Sequence, residues 1–179
     1  MLRYGIPNYR LPRERLQWDI DAILSAGVEV KTDYDAEKEQ SMKELIADYD
    51  AVYISIGAHT HKSLGIEGEY GEGVIPAVEM LRGIGDDAMP DFKNKSVVVI
   101  GGGNVAMDAA RCARRMGAEV YIVYRRGEAE LPARKEEVHH AKEEGIEFRM
   151  LTNPTHILGS EDGWVKGINC VEMELGEPD

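Results

Sequence analysis

Three consecutive glycines, Gly101-Gly102-Gly103, follow directly on an apolar run, Val97-Val-Val-Ile100, and directly precede a segment with helical spacing, Asn104 to Met116. With Ala106 three places further on, the glycines form the pattern G-x-G-x-x-A, which suits one kind of chemistry: cradling a pyrophosphate. Gly101 permits a tight turn from strand to helix. Gly103, lacking a side chain, lets the pyrophosphate approach the backbone, and Ala106 is small enough for helix and strand to pack closely. The first amides of the helix have no partner within it and lie at its positive end, so they can receive the anion. A glycine triplet alone is a common loop. The apolar strand before it, the helix after it and a second strand, Glu119 to Tyr124, at the right distance identify a dinucleotide-binding βαβ unit from Ser96 to Arg126. No Gly-Lys-Ser/Thr follows the glycines, which excludes a P-loop.

The end of the second strand selects the nucleotide. A site for NAD(H) needs a carboxylate there to accept hydrogen bonds from the ribose 2′-hydroxyl, and that carboxylate would repel a 2′-phosphate. Here the strand runs into Arg125-Arg126. Two guanidinium groups can grip a phosphate with paired, charge-assisted hydrogen bonds, so the expected cofactor is NADP(H). The chain carries a formal charge of −12 over 179 residues. Its own field therefore repels polyanions, which argues against a nucleic-acid or acidic-membrane binder, and any anion it holds must meet a local cation cluster.

Other reactive residues form no catalytic set. His59 and His61 share one loop. His139 and His140 are neighbours in a helix, where adjacent side chains diverge, and no metal site is expected. Asp108, one turn into the cofactor helix, is expected to be a solvated or salt-bridged acid rather than a general base. Hydride transfer needs no such set, only a nicotinamide held against its acceptor. The two cysteines, Cys112 and Cys170, cannot make a four-thiolate cluster. With no signal peptide and no long apolar run, the expectation is a soluble, cytoplasmic protein without a membrane partner.

The elements that must position these residues alternate between helix and strand. Helices are expected over Arg13 to Ala26, with Gly27 as the stop, and over Met42 to Asp48, capped by Ser41. A further helix is opened by Pro76, and another covers Arg134 to Glu144. Strands are expected at Val28 to Val30, Ala51 to Ile56, Val97 to Ile100, Glu119 to Tyr124 and Ile146 to Met150. A hairpin turns at Glu161-Asp-Gly163 within Thr155 to Leu175. Val105, Ala109, Cys112, Ala113 and Met116 form the expected packing stripe of the cofactor helix. The alternation predicts an α/β fold, a Rossmann-like NAD(P)-binding domain with a parallel sheet and helices on both faces.

Several segments carry a family likeness: Leu2-Arg-Tyr-Gly-Ile-Pro7 with Arg10-Leu-Pro12, Asp50-Ala-Val with Ser55-Ile-Gly57-Ala58, and Val99 through Arg111. Val123-Tyr-Arg-Arg126, Leu131-Pro-Ala133 and Glu143-Glu-Gly145 complete the set. In order and spacing the chain resembles the small (β) subunit of NADPH-dependent glutamate synthase and its relatives, including the NADPH-binding part of dihydropyrimidine dehydrogenase. The resemblance implies an NADPH module inserted within an FAD module, here residues 76–179 after a partial FAD-module segment and crossover over residues 1–75. It implies that Gly102, Gly103, Asn104 and Val105 contact the NADPH phosphates, that Arg125 and Arg126 hold the 2′-phosphate, and that Arg10 lies against FAD. Gly57, also expected among the cofactor-binding residues, would end the crossover strand, where relatives more often read Ala-Thr-Gly.

The resemblance further implies a flavoprotein oxidoreductase that passes hydride from NADPH to FAD and electrons on to an iron–sulfur domain or acceptor subunit. The family's first FAD motif, iron–sulfur cysteines and final Gly-Asp motif are not in the chain, and Glu177-Pro-Asp179 falls in what is usually mid-domain. The chain alone is therefore expected to bind NADP(H) and to be inactive by itself, its flavin portion packing on something else, a second copy among the options. The competing readings are a self-contained NADP-dependent dehydrogenase, needing Asp108 or a loop histidine as proton donor, and a non-catalytic dinucleotide sensor, which would favour an acid where Arg125 stands.

Overall fold

A computed structural model describes residues 1–88 and 90–176, so the expectation for Glu177 to Asp179 lies outside the described residues. The chain divides into two compact units, one formed by Arg13–Thr60 and the other by Met1–Pro12 with the chain from His61 onward.

The Arg13–Thr60 unit holds α1 (Arg13–Ser25), α2 (Ala36–Glu39) and α3 (Met42–Asp48). Gly27, at φ +90°, ends α1 as its sequence position suggests. Ser41 caps α3 through a full capping box: its hydroxyl accepts from the Glu44 amide, and the Glu44 carboxylate accepts from the Ser41 amide at 2.8 Å. The two strands expected here do not form. Residues 28–30 and 51–56 pair with no other strand among the described residues. Tyr53 is 91% exposed and Ile56 77%. A β-branched run signals a pleated, half-buried environment, but a strand exists only where a neighbour takes its amides and carbonyls. Among the described residues no strand of this unit supplies one.

The other unit begins its regular structure with α4 (Ala77–Gly85), whose N-cap is Pro76. It continues through β1 (Ser96–Ile100), α5 (Asn104–Arg115), β2 (Glu119–Val123), a 3-10 turn at Glu128–Glu130, α6 (Lys135–Glu143) and β3 (Glu147–Arg149). An antiparallel hairpin, β4 (Thr152–Gly159) and β5 (Val165–Glu172), follows. Strands β1, β2 and β3 form a parallel sheet in that order. The register pairs Val97 with Val120, Val99 with Ile122, and Ile122 with Phe148, so these side chains share one face of the sheet. They meet α5 in a core completed by Met80 and Leu81 of α4 and by Val138 and Ala141 of α6.

Alanines let α5 approach the sheet, and burial on this helix runs unbroken from Ala106 to Ala113. The expected stripe therefore needs two corrections. Val105 is 48% exposed, since it lies in the first turn beside the open glycine loop. Asp108 and Arg111, on the side away from the stripe, are buried, because residues 9–10 and α6 cover them. Among the described residues no helix is long and apolar enough to cross a membrane.

Candidate nucleotide-binding site

The glycine loop follows β1 and is fixed to β2 by the Gly101 amide, which donates to the Val123 carbonyl at 3.0 Å. Each glycine answers a different demand. Gly101 sits at φ +133°, a conformation that favours glycine, and a Cβ on it would lie 3.7 Å from the Ala106 methyl. A Cβ on Gly102 would collide with Leu131 Cδ2 at 2.6 Å and with the Tyr124 ring at 2.8 Å. Gly103 is the N-cap of α5, and a Cβ there would meet nothing within 4 Å. Open space in front of unpaired helix amides is the cradle that a pyrophosphate requires, so this loop fits the dinucleotide.

Asn104 and Gly102 are tied to a segment whose structural part the sequence left unexplained, Leu131 to Arg134. The Ala133 amide donates to the Gly102 carbonyl at 3.1 Å, and the Arg134 amide donates to the Asn104 side-chain oxygen at 3.0 Å. The Tyr124 hydroxyl donates to the Glu130 carbonyl at 2.9 Å. The conjunction Leu131-Pro-Ala133 was a visible signal, but only the fold reveals that it braces the loop. Ala106 is buried against the turn, and Val105 faces solvent.

Arg125 and Arg126 stand just beyond β2, next to the strand that carries the loop, and both are exposed. Neither guanidinium has an ion pair or side-chain hydrogen bond among the described residues. The nearby Glu128 carboxylate is taken by Lys142 at 2.6 Å.

Arg10 is placed differently from the phosphate-facing residues. It donates to both Asp108 oxygens, at 2.9 and 2.8 Å, and pairs with Glu137 at 3.3 Å. Arg111 bridges Glu137 and Glu144, Arg115 joins Glu144 at 2.8 Å, and the Tyr9 ring lies under both guanidiniums. Burial pushes the Asp108 carboxyl above its usual range even with Arg10 against it. The hydrogen bond from Arg115 holds Glu144 below its usual range. Gly57, at φ +70°, belongs to the Arg13–Thr60 unit, whereas the glycine loop belongs to the other unit.

Among the described residues, the proton donors that a self-contained dehydrogenase would need, Asp108 and the loop histidines, each have a partner. Asp108 is locked to Arg10. His59 Nε2 lies 2.6 Å from the Ile56 carbonyl, and His61 faces Glu79 at 3.6 Å. Among the described residues no group of three or more His, Cys, Asp or Glu could hold a metal. Cys112 and Cys170 are both free thiols.

Residues 7–177 match the family described as pyridine nucleotide-disulphide oxidoreductase. The chain belongs to that family. Across its whole length it is 47% identical to the β subunit of an NADP(+)-dependent formate dehydrogenase from Moorella thermoacetica, covering 26% of that protein. It is 34% identical to the small chain of the NADPH glutamate synthase of Escherichia coli, covering 40% of it, so the likeness read from its motifs holds. The chain thus spans about a quarter to two-fifths of the length of these relatives. A thioredoxin reductase from Lactococcus lactis, solved in its FR conformation, superposes with a TM-score of 0.52 at 30% identity, covering 66% of this chain and 37% of that one. The α/β architecture with its parallel sheet is the fold of this family.

Proposed function

We propose that this chain is the NADP(H)-binding portion of a flavin-dependent oxidoreductase, in which NADPH passes hydride to FAD and electrons continue to an iron–sulfur domain or acceptor subunit. The observation that carries the reading is the pair Arg125 and Arg126, exposed and unpaired beyond β2, beside a glycine loop whose Gly103 faces open space. The nicotinamide supplies the hydride chemistry when bound. The chain's own work is positioning: Gly101 turns the backbone, Gly103 with the amides of Asn104 and Val105 receives the pyrophosphate, Ala106 seats the helix, and the two arginines take the 2′-phosphate.

Family membership, and relatives named for NADPH or NADP(+), support the same cofactor. Domain organisation, with residues 76–179 as the NADP(H) module, and the reducing cytoplasm as compartment belong to this reading. So does the expectation that the chain turns over only with the rest of its flavoprotein. Arg10 and Gly57 are the residues the family likeness directs toward FAD. The Arg10 guanidinium is already committed to Asp108 and Glu137.

Calorimetric titration of the chain with NADPH and NADH, unsubstituted and as Arg125→Ala/Arg126→Ala, tests the reading. Loss of both arginines is expected to weaken NADPH binding by about 2–4 kcal/mol and to spare NADH. Equal affinity of the unsubstituted chain for the two nucleotides would refute it.

A further inference from the structure

We propose that Arg134 is a third cationic contact of the nucleotide site, serving the pyrophosphate rather than the 2′-phosphate, with Asn104 as the residue that positions it. The inference rests on the reading of the glycine loop as a dinucleotide site. Two hydrogen bonds place Arg134: the Ala133 amide to the Gly102 carbonyl, and the Arg134 amide to the Asn104 side-chain oxygen at 3.0 Å. Asn104 is the first residue of α5, so the Arg134 backbone stands at the mouth of the helix whose free amides face the open space at Gly103.

The Arg134 side chain is exposed and has no ion pair or hydrogen bond among the described residues. Four other cations of α5 and α6 are committed: Arg111 to Glu137 and Glu144, Arg114 to two backbone carbonyls, Arg115 to Glu144 and Lys142 to Glu128. In a chain of charge −12, an uncommitted guanidinium carried on a backbone pinned beside the loop is suited to an anion that arrives there. Arg125 and Arg126 approach from the end of β2, whereas Arg134 is fixed to the start of α5. The two groups therefore address different phosphates of one nucleotide. Asn104 then acts through Arg134: its amide oxygen is used on the Arg134 backbone and is not available to the ligand.

The test is calorimetric titration of the 179-residue chain with NADPH and with NADH. Arg134→Ala is expected to weaken both nucleotides by the same factor, about 10- to 100-fold, because both carry the pyrophosphate. Arg134→Lys, which keeps the charge but not the planar fork, should recover part of the loss. Asn104→Ala should also weaken both, and combining it with Arg134→Ala should add little. Thermal melts of each variant separate lost binding from lost folding. Unchanged affinity in a folded Arg134→Ala protein would overturn the proposal, as would a loss confined to NADPH, which would move Arg134 to the 2′-phosphate. Fully additive losses would overturn the role given to Asn104. Failure of the unsubstituted chain to bind either nucleotide would instead overturn the glycine-loop reading beneath it.

Discussion

Two adjacent glycines in one loop are expected to fail in opposite ways when each becomes alanine. At Gly102 the new methyl would stand 2.6 Å from Leu131 Cδ2 and 2.8 and 2.9 Å from two Tyr124 ring carbons. Carbon contacts are comfortable at about 3.5–4.0 Å, so these neighbours must retreat by about 1 Å. Leu131 can rotate, but Tyr124 is held by its hydroxyl on the Glu130 carbonyl, and the Gly102 carbonyl is itself bonded to Ala133. Overpacking of this kind costs about 1–3 kcal/mol, and each kcal/mol lowers the melting temperature of a chain this size by about 2–4 °C. At Gly103 the methyl meets nothing, and φ −88° with ψ 175° is ordinary extended backbone. Gly103→Ala should leave stability within about 0.5 kcal/mol, yet occupy the space the pyrophosphate needs and weaken NADPH at least about 10-fold. Calorimetric melting and NADPH titration of both variants read the two effects separately. A Gly103→Ala protein that melts as early as Gly102→Ala, or that binds NADPH unimpaired, would refute this division of labour.

The ionic cluster behind α5 gives a pH signature. Glu144 is held below its ordinary value by the Arg115 hydrogen bond, so its stabilisation is present above the unfolded carboxylate range and is lost as pH falls through its folded value. Urea denaturation should therefore show Glu144→Gln destabilised at pH 7, the difference shrinking toward pH 3. Asp108, pushed up by burial, has the opposite sign and favours the fold as it takes up a proton. The cysteines should also separate. Burial pushes the Cys112 thiol up to about 11, whereas Cys170 is exposed. N-ethylmaleimide at pH 7.5 should label one thiol per native chain and two in denaturant. Rapid native labelling of Cys112 would contradict its burial.

What could be read in the sequence was what local chemistry decides. The run from Val97 through the glycines to Tyr124 specifies strand, turn, helix and strand by composition alone, and β1, α5 and β2 form there. Ser41 announces a helix cap, and Glu161-Asp-Gly163 announces a hairpin turn. Residues 28–30 and 51–56 show the limit. Their β-branched character is a demand for neighbours, and sequence cannot say whether neighbours are supplied. Asp108 shows the same limit from the other side, because its partner Arg10 lies 98 positions away. The brace from Ala133 and Arg134 to Gly102 and Asn104 was out of reach for the same reason.

The distribution of cations gives the site its strongest internal logic. The chain has 21 Lys and Arg against 33 Asp and Glu, so a basic side chain can readily find a carboxylate. Arg10, Arg111 and Arg115 do so, building a partly buried cluster that ties residues 9–10 and α6 to the back of the cofactor helix. Among the described residues Arg125, Arg126 and Arg134 do not, though acidic residues at 128, 130, 136 and 137 stand close in sequence. Exposed ion pairs are worth little, so leaving these arginines unpaired costs the fold almost nothing. A phosphate desolvated against paired donors returns far more than a surface carboxylate could. Matched charge behind α5 thus holds the helix in place, and on the proposed reading the unmatched charge of Arg125, Arg126 and Arg134 awaits an anion the rest of the protein would repel.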